Sequence, residues 1–176
     1  MAGPRIIRDH VLALVRKRGV ALAPACRISA FGDCAPMAAK LGRLVSLGQK
    51  TATSSLLWDW EADCEPIPAA GEHEVLVEWS GIPYAVILTT EVRIVPFGAV
   101  QLEFASAEGE GDGSLEWWRA SHWEFFGKVC ARIERAATTE MPVVCQRFRL
   151  VHDLRTDTLL DAAQPAVAAD GAAPRS

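Results

Sequence analysis

Apolar residues recur along this chain in two rhythms, and the change from one to the other outlines a fold. Over residues 5 to 19, Ile6, Val11, Leu14 and Val15 fall roughly on one side of a helix. ALAPACRISAFGD then reads as a connector. From about Pro36 to Leu47 a second helix is predicted, with Met37, Leu41, Leu44 and Val45 as its apolar stripe. Pro36 suits its first turn and Gly48 its stop. Strands follow. Residues 51 to 58 are predicted as the first, and EADCEPIPAAGE as a loop. HEVLVEW, residues 73 to 79, is a second strand, and Ser80-Gly81 marks a turn. PYAVILTTEVRIV makes one long strand or two, broken at Pro96-Phe97-Gly98. VQLEFASAEGEGDG reads as a short helix running into a glycine-rich loop.

The clearest helix spans residues 114 to about 135, where Leu115, Trp118, His122, Phe125, Phe126, Val129 and Ile133 share a face. Ser114 can cap it. In the last strand, PVVCQRFRLV, Val144, Gln146, Phe148 and Leu150 alternate with Val143, Cys145, Arg147 and Arg149. The end from about Asp161 is rich in alanine and proline and is expected to be disordered. Helices, then hairpin strands, then helices and a closing strand give an α+β chain. The strands are expected to form a mostly antiparallel sheet, open to curling into a small barrel with helices outside. There is no βαβ alternation, and GEGDG does not follow a strand, so a dinucleotide fold is excluded.

Composition narrows the ligand. A length of 176 residues fits one domain with a real core. The net charge of −4 and pI of about 5.6 do not advertise a broad grip on long nucleic acid. They favour a small ligand or a short nucleic-acid segment. The five cysteines are odd in number and lack CxxC spacing. With no signal peptide in view, they read as reduced thiols in a cytoplasmic protein. The four histidines are scattered, so neither a metal site nor a cofactor is expected. No apolar run approaches the roughly 20 residues of a membrane helix. Nothing in the pattern fixes an oligomeric state.

GQKTAT, residues 48 to 53, places a lysine and two threonines at a helix-to-strand corner. The plain reading is a solvated turn after a glycine stop. The sharper one is a catalytic or binding lysine on a rigid corner. On a regular strand, residues 50 and 53 point to opposite faces. Lys50 must therefore sit in the turn if it is to converge with Thr53. Gly48 allows the left-handed exit that this needs.

Three stretches together resemble a known family: FGDCAPMAAKLGRLVSLGQKTATSSLLWDWE, TTEVRIVPFGAVQLEFASAEGEGDGSLEWWRASHWEFF and MPVVCQRFRLV are similar to the ASCH domain family. The resemblance implies a PUA-like fold, a small curled β-barrel with flanking helices, over residues 26 to 154. Residues 1 to 25 become an N-terminal helical extension and 155 to 176 a disordered tail. It also implies a nucleoside or RNA as partner. Small bacterial members are amidohydrolases that deacetylate N4-acetylcytidine, and others are described as ribonucleases. In the hydrolases the catalytic set is the lysine and threonine of GxKxxT with a later glutamate. These match Lys50, Thr53 and, in FASAEGEG, Glu108, with Glu110 as the alternative carboxylate. This chain is longer than those enzymes and has a longer Trp-rich helix, which bears on the substrate.

Two mechanisms follow from such a set. Neutral Lys50 could activate the Thr53 hydroxyl, with Glu108 handling the leaving amine. Alternatively Glu108 could activate water while charged Lys50 steadies an oxyanion. Five further residues are substrate-binding candidates: Asp33, Trp58, Glu110, Ser114 and Arg147. Trp58, like Trp60, could stack on a base or pack in the core. Asp33 could start the second helix or face the cleft. Arg147 and Arg149 could contact phosphate or line an exposed sheet face. His122 reads as a core histidine. The alternative to an enzyme is a non-catalytic RNA-binding module using Arg43, Lys50, Arg93, Arg147 and Arg149.

Overall fold

The computed structural model describes residues 7–23 and 25–156, and the backbone of 158–159. The first helix, α1 (Arg8–Lys17), buries Val11, Leu12 and Val15. Arg16 and Lys17 fall in its last turn, where cations suit the helix dipole. Its apolar face packs on Val75, Val77, Val86 and Leu154. α2 (Ala35–Ser46) begins with Pro36 in its first turn and ends before Gly48, whose φ is +68°. It buries Ala38, Leu41, Gly42 and Val45. The expected stripe is therefore rotated, and Met37 is left exposed. Small residues explain the rotation. Gly42 lies against Tyr84, where an added Cβ would stand 3.1 Å from the ring. Close approach outweighs the larger apolar side chains.

β1 (Arg27–Ser29) and β2 (Ala52–Leu56) are short. The predicted strand through residue 58 stops early. The chain enters a helix, α3 (Leu57–Ala62), that carries both Trp58 and Trp60. Then come β3 (His73–Val77), β4 (Pro83–Pro96), a single 3₁₀ turn (Phe97–Ala99) and α4 (Leu102–Ala107). The long helix α5 (Leu115–Arg132) is capped by the Ser114 hydroxyl, which accepts the Trp117 N–H. It buries Trp118, His122, Phe126 and Cys130. β5 (Pro142–Asp153) and β6 (Thr158–Leu159) complete the sheet.

The strand order is β1-β3-β4-β5-β2, with β6 also on β5. The β1–β3 pair is parallel and the others antiparallel, so the sheet is mixed. β4 and β5 pair from Ala85–Asp153 to Pro96–Pro142 and form the spine. Register shifts interrupt that ladder at Val86/Ile87 and Thr89/Glu91. Bulges of this kind bend and twist a sheet, and this one curls into a half-barrel with helices around it.

Three buried clusters fasten the helices on. One joins Trp118, Phe126 and Cys130 of α5 to Leu56 and Val143. The second is the α1 cluster, and the third joins Val45 of α2 to Leu76, Tyr84, Ile87 and Phe148. The expected tail lies outside the described residues beyond Arg155, Thr156 and β6, as do residues 1 to 6 of the expected extension. Among the described residues no helix is long and apolar enough to cross a membrane. The five cysteines are free thiols.

Candidate functional site

The corner between α2 and β2 is built by its backbone. The N–H groups of Gln49 and Lys50 both donate to the Leu44 carbonyl, at 2.9 and 3.1 Å. The Thr51 N–H donates to the Ala107 carbonyl at the end of α4, at 2.8 Å. Gly109, at φ +67°, lies so close that a Cβ there would stand 2.2 Å from the Gln49 oxygen. The end of α4 is thus laid on the corner, and it delivers two carboxylates. Lys50 lies ahead of the first regular strand residue, Ala52, and both Lys50 and Thr53 line one cavity.

Lys50 Nζ stands 3.0 Å from Glu108 Oε2 and 2.7 Å from Glu110 Oε1. Lys50 and Glu108 are each 1% exposed, and the Glu110 side chain 14%. Glu108 accepts three hydrogen bonds, one of them from Lys50. Its Oε1 accepts the Ser54 hydroxyl at 2.7 Å and the Trp118 indole N–H at 2.8 Å, with His122 Nε2 at 3.6 Å. The His122 ring stacks on Trp118 at 4.2 Å. His122 is therefore a core residue that also lines the cavity.

Burial by itself would push the lysine down and the glutamate up. The two carboxylates beside Lys50 outweigh its burial and hold it above the ordinary lysine value. Burial of Glu108 is likewise outweighed by Lys50, then by His122 and Trp118, and its carboxyl sits well below the usual range. Both groups move toward their charged forms. Lys50 is therefore a cation, and Glu108 is an anchored anion that makes a poor base.

This fixes an expected pH window. Glu108 contributes stability above the unfolded carboxylate pKa of about 4.3, and loses it as pH falls through its lower folded value. Lys50 contributes fully below about 10.4 and loses its share as pH rises through its higher folded value. From this pair alone the urea midpoint should stay level between about pH 5 and 10 and fall outside that range. Glu108→Gln should flatten the acid limb, and an acid limb unchanged in that variant would remove Glu108 as its source.

The cavity has a volume of about 390 Å³. Phe31 and Trp60 give it aromatic walls, with Lys50 Nζ 5.5 Å from the Phe31 ring centre. The Arg27 guanidinium lies 4.6 Å from the Trp60 ring centre, and the Trp60 indole donates to Ser55 Oγ at 2.8 Å. Ser54 and Ser55 are thus engaged, whereas the Thr53 hydroxyl makes no hydrogen bond among the described residues. At another wall Glu74 accepts the Ser29 hydroxyl and the Gln146 amide, the latter at 3.1 Å. Five lining carboxylates (Asp33, Glu74, Glu108, Glu110, Glu124) face three cations (Arg27, Lys50, Lys128).

Of the residues singled out from sequence, the cavity gathers Lys50, Thr53, Glu108, Glu110 and Asp33. Asp33 does not cap α2; Cys34 holds that position with no side-chain bond. Three others lie elsewhere. Trp58 packs on the core with the Arg135 guanidinium 4.7 Å from its ring centre. Ser114 is occupied as the α5 cap. Arg147 lies on the opposite face of β5 from Gln146, reaching Glu103 at 3.1 Å and Glu91 at 3.6 Å. With Arg93 it lines a separate cavity of about 160 Å³. Sequence reasoning missed Ser29, Ser54, Glu74 and Gln146. Gln146 had a legible signal, being the one polar residue in the row Val144, Gln146, Phe148, Leu150.

A family model described as the ASCH domain matches residues 27–152. No curated protein matches the chain. Two crystal structures are similar over most of it. One is a protein from Enterococcus faecalis V583, assigned to family model DUF984, with 31% identity and a TM-score of 0.72 over 82% of this chain and 90% of that one. The other is the ASCH domain from Lactobacillus crispatus JV V101, with 25% identity and a TM-score of 0.74 over 83% of this chain and 96% of that one.

Proposed function

This chain belongs to the ASCH domain family, whose domains are PUA-like, and from that footing we propose that it admits one nucleoside and hydrolyses an acyl amide on it. N4-acetylcytidine is the substrate to try first, because the small hydrolases of the family use a lysine, a threonine and a glutamate. The observation that carries the reading is the buried, doubly paired Lys50 at a cavity of about 390 Å³ that also holds the unengaged Thr53 hydroxyl. That volume suits a small ligand with aromatic walls for its ring.

The charges favour one division of labour. Glu108 holds Lys50 in place. Glu110 is more exposed than Glu108, and among the described residues Lys50 is the one cation paired with it, so it is the better placed base. It takes a proton from the attacking oxygen, supplied by water or by Thr53. The carbonyl carbon gains that oxygen, and the Lys50 cation steadies the resulting oxyanion. Collapse breaks the C–N bond, and the amine leaves with the proton returned from Glu110. When Thr53 is the attacker, a water then releases the acyl group from it.

The excess of lining carboxylates weighs against a threaded RNA chain, whose phosphates they would repel. An RNA-binding module would have to use another face, and the Arg93–Arg147 cavity is away from Lys50. The test is release of cytidine from N4-acetylcytidine, free and within a short RNA. Glu110→Gln should slow it by at least about 100-fold at unchanged fold, and Thr53→Val by as much when its hydroxyl is the attacker, whereas attack by water leaves Thr53→Val active. No release from either substrate by the wild type would overturn the hydrolase reading.

A further inference from the structure

At the wall formed by β1, β3 and β5, we infer a subsite that binds the ribose hydroxyls of the ligand, making the cavity selective for ribonucleosides over deoxyribonucleosides. The inference rests on the nucleoside reading above. Arg27 and Glu74 are register partners on adjacent strands, and both line the cavity. Ser29, two residues along β1, shares the Arg27 face. Gln146 reaches the same spot from β5.

The donor and acceptor inventory defines what fits. Glu74 is 4% exposed, and among the described residues no cation pairs with it. Each of its oxygens accepts one bond, from Ser29 and from Gln146, and each has room for another. A carboxylate only accepts, so the Gln146 amide must turn its NH₂ toward it. The second hydrogen of that NH₂ goes to Thr89 Oγ1 at 2.9 Å. Gln146 therefore has only its carbonyl left to offer. Beside these acceptors, the Arg27 guanidinium bonds Pro66 and approaches Glu65, and its Nε is enclosed by protein.

A ligand here must supply donors to Glu74. Phosphate only accepts and is repelled by Glu74. An ammonium would meet the Arg27 guanidinium, on the register partner of Glu74, as a like charge. A hydroxyl donates without carrying charge, and a vicinal pair can engage both carboxylate oxygens. In an acylated nucleoside whose amide lies at Lys50, the amide N–H is used there. The sugar hydroxyls are the strong donors that remain. A 2′-hydroxyl is the group that separates ribose from deoxyribose.

The test is calorimetric binding of cytidine, 2′-deoxycytidine and arabinosylcytidine, the 2′-epimer, to the full chain. It reads binding without needing turnover. Cytidine should bind at least about tenfold more tightly than either analogue, as expected when buried polar groups lose their partner. Glu74→Gln should cut that preference to about threefold or less. Should Glu74→Gln not fold, Ser29→Ala and the three ligands on the wild type still decide the matter. Equal affinity for the three ligands would overturn the subsite while leaving acyl-amide hydrolysis standing. Ribose-selective binding without turnover would sink the hydrolase and keep the subsite, and absence of binding by all three would overturn the subsite.

Discussion

Lys50→Met is expected to lower the stability of the domain by about 3–5 kcal/mol, the usual cost of stranding one partner of a buried ion pair. The stranded group is Glu108, which is 1% exposed and would keep only the Ser54 and Trp118 bonds and the neighbouring His122. Adding Glu108→Gln should recover much of the loss. The amide still accepts from Ser54 and Trp118, and no buried charge remains. Urea unfolding at constant slope measures both variants. A midpoint for Lys50→Met equivalent to less than about 0.5 kcal/mol of loss would show that the pair does not hold the corner. Lost hydrolysis in a Lys50 variant is therefore informative only beside its unfolding curve. Thr53→Val is the cleaner probe, because Thr53 ties nothing together.

Gly109→Ala is expected to cost about 3 kcal/mol and to abolish hydrolysis. Two costs add. A side chain at φ +67° is strained by about 1–3 kcal/mol, and the new methyl meets backbone that cannot swing away. Its Cβ would stand 2.2 Å from the Gln49 oxygen and 3.1 Å from the Lys50 nitrogen. Relief requires the end of α4 to lift off the corner, which carries Glu108 and Glu110 away from Lys50. Gly113 is the matched control: its φ is +75°, but nothing lies within 4 Å of an added Cβ. Gly113→Ala should show the strain alone and keep its activity. Equal midpoints for the two variants would mean that the contact at Gly109 is soft.

Elements with local punctuation were legible in the chain. Gly48 announced the end of α2, and Ser114 the start of α5. The placement of Lys50 in a turn followed from strand alternation. What remained hidden depended on tertiary structure. Lys50 and Glu108 are 58 residues apart, and no spacing rule joins them; the family resemblance supplied that pairing as an expectation. Trp58 and Trp60 read alike because the strand pattern of SSLLWDW runs on smoothly and puts both on one face. The chain instead turns helical at Leu57, after an N-cap, Leu56, whose side chain offers no bond and leaves no signal to read. Glu74 escaped notice because a carboxylate in a strand reads as a solvent-facing residue until the curl of the sheet turns it inward.

The sheet order has a consequence for synthesis. Among the described residues β2 pairs only with β5, and that partner leaves the ribosome about 90 residues later. At roughly 5–20 residues per second, β2 waits on the order of 5–20 s as an open edge. Such edges recruit other chains when they are apolar. β2 reads ATSSL. The hydroxyls that give the cavity its polar floor also make the waiting strand a weak template for its neighbours on the polysome.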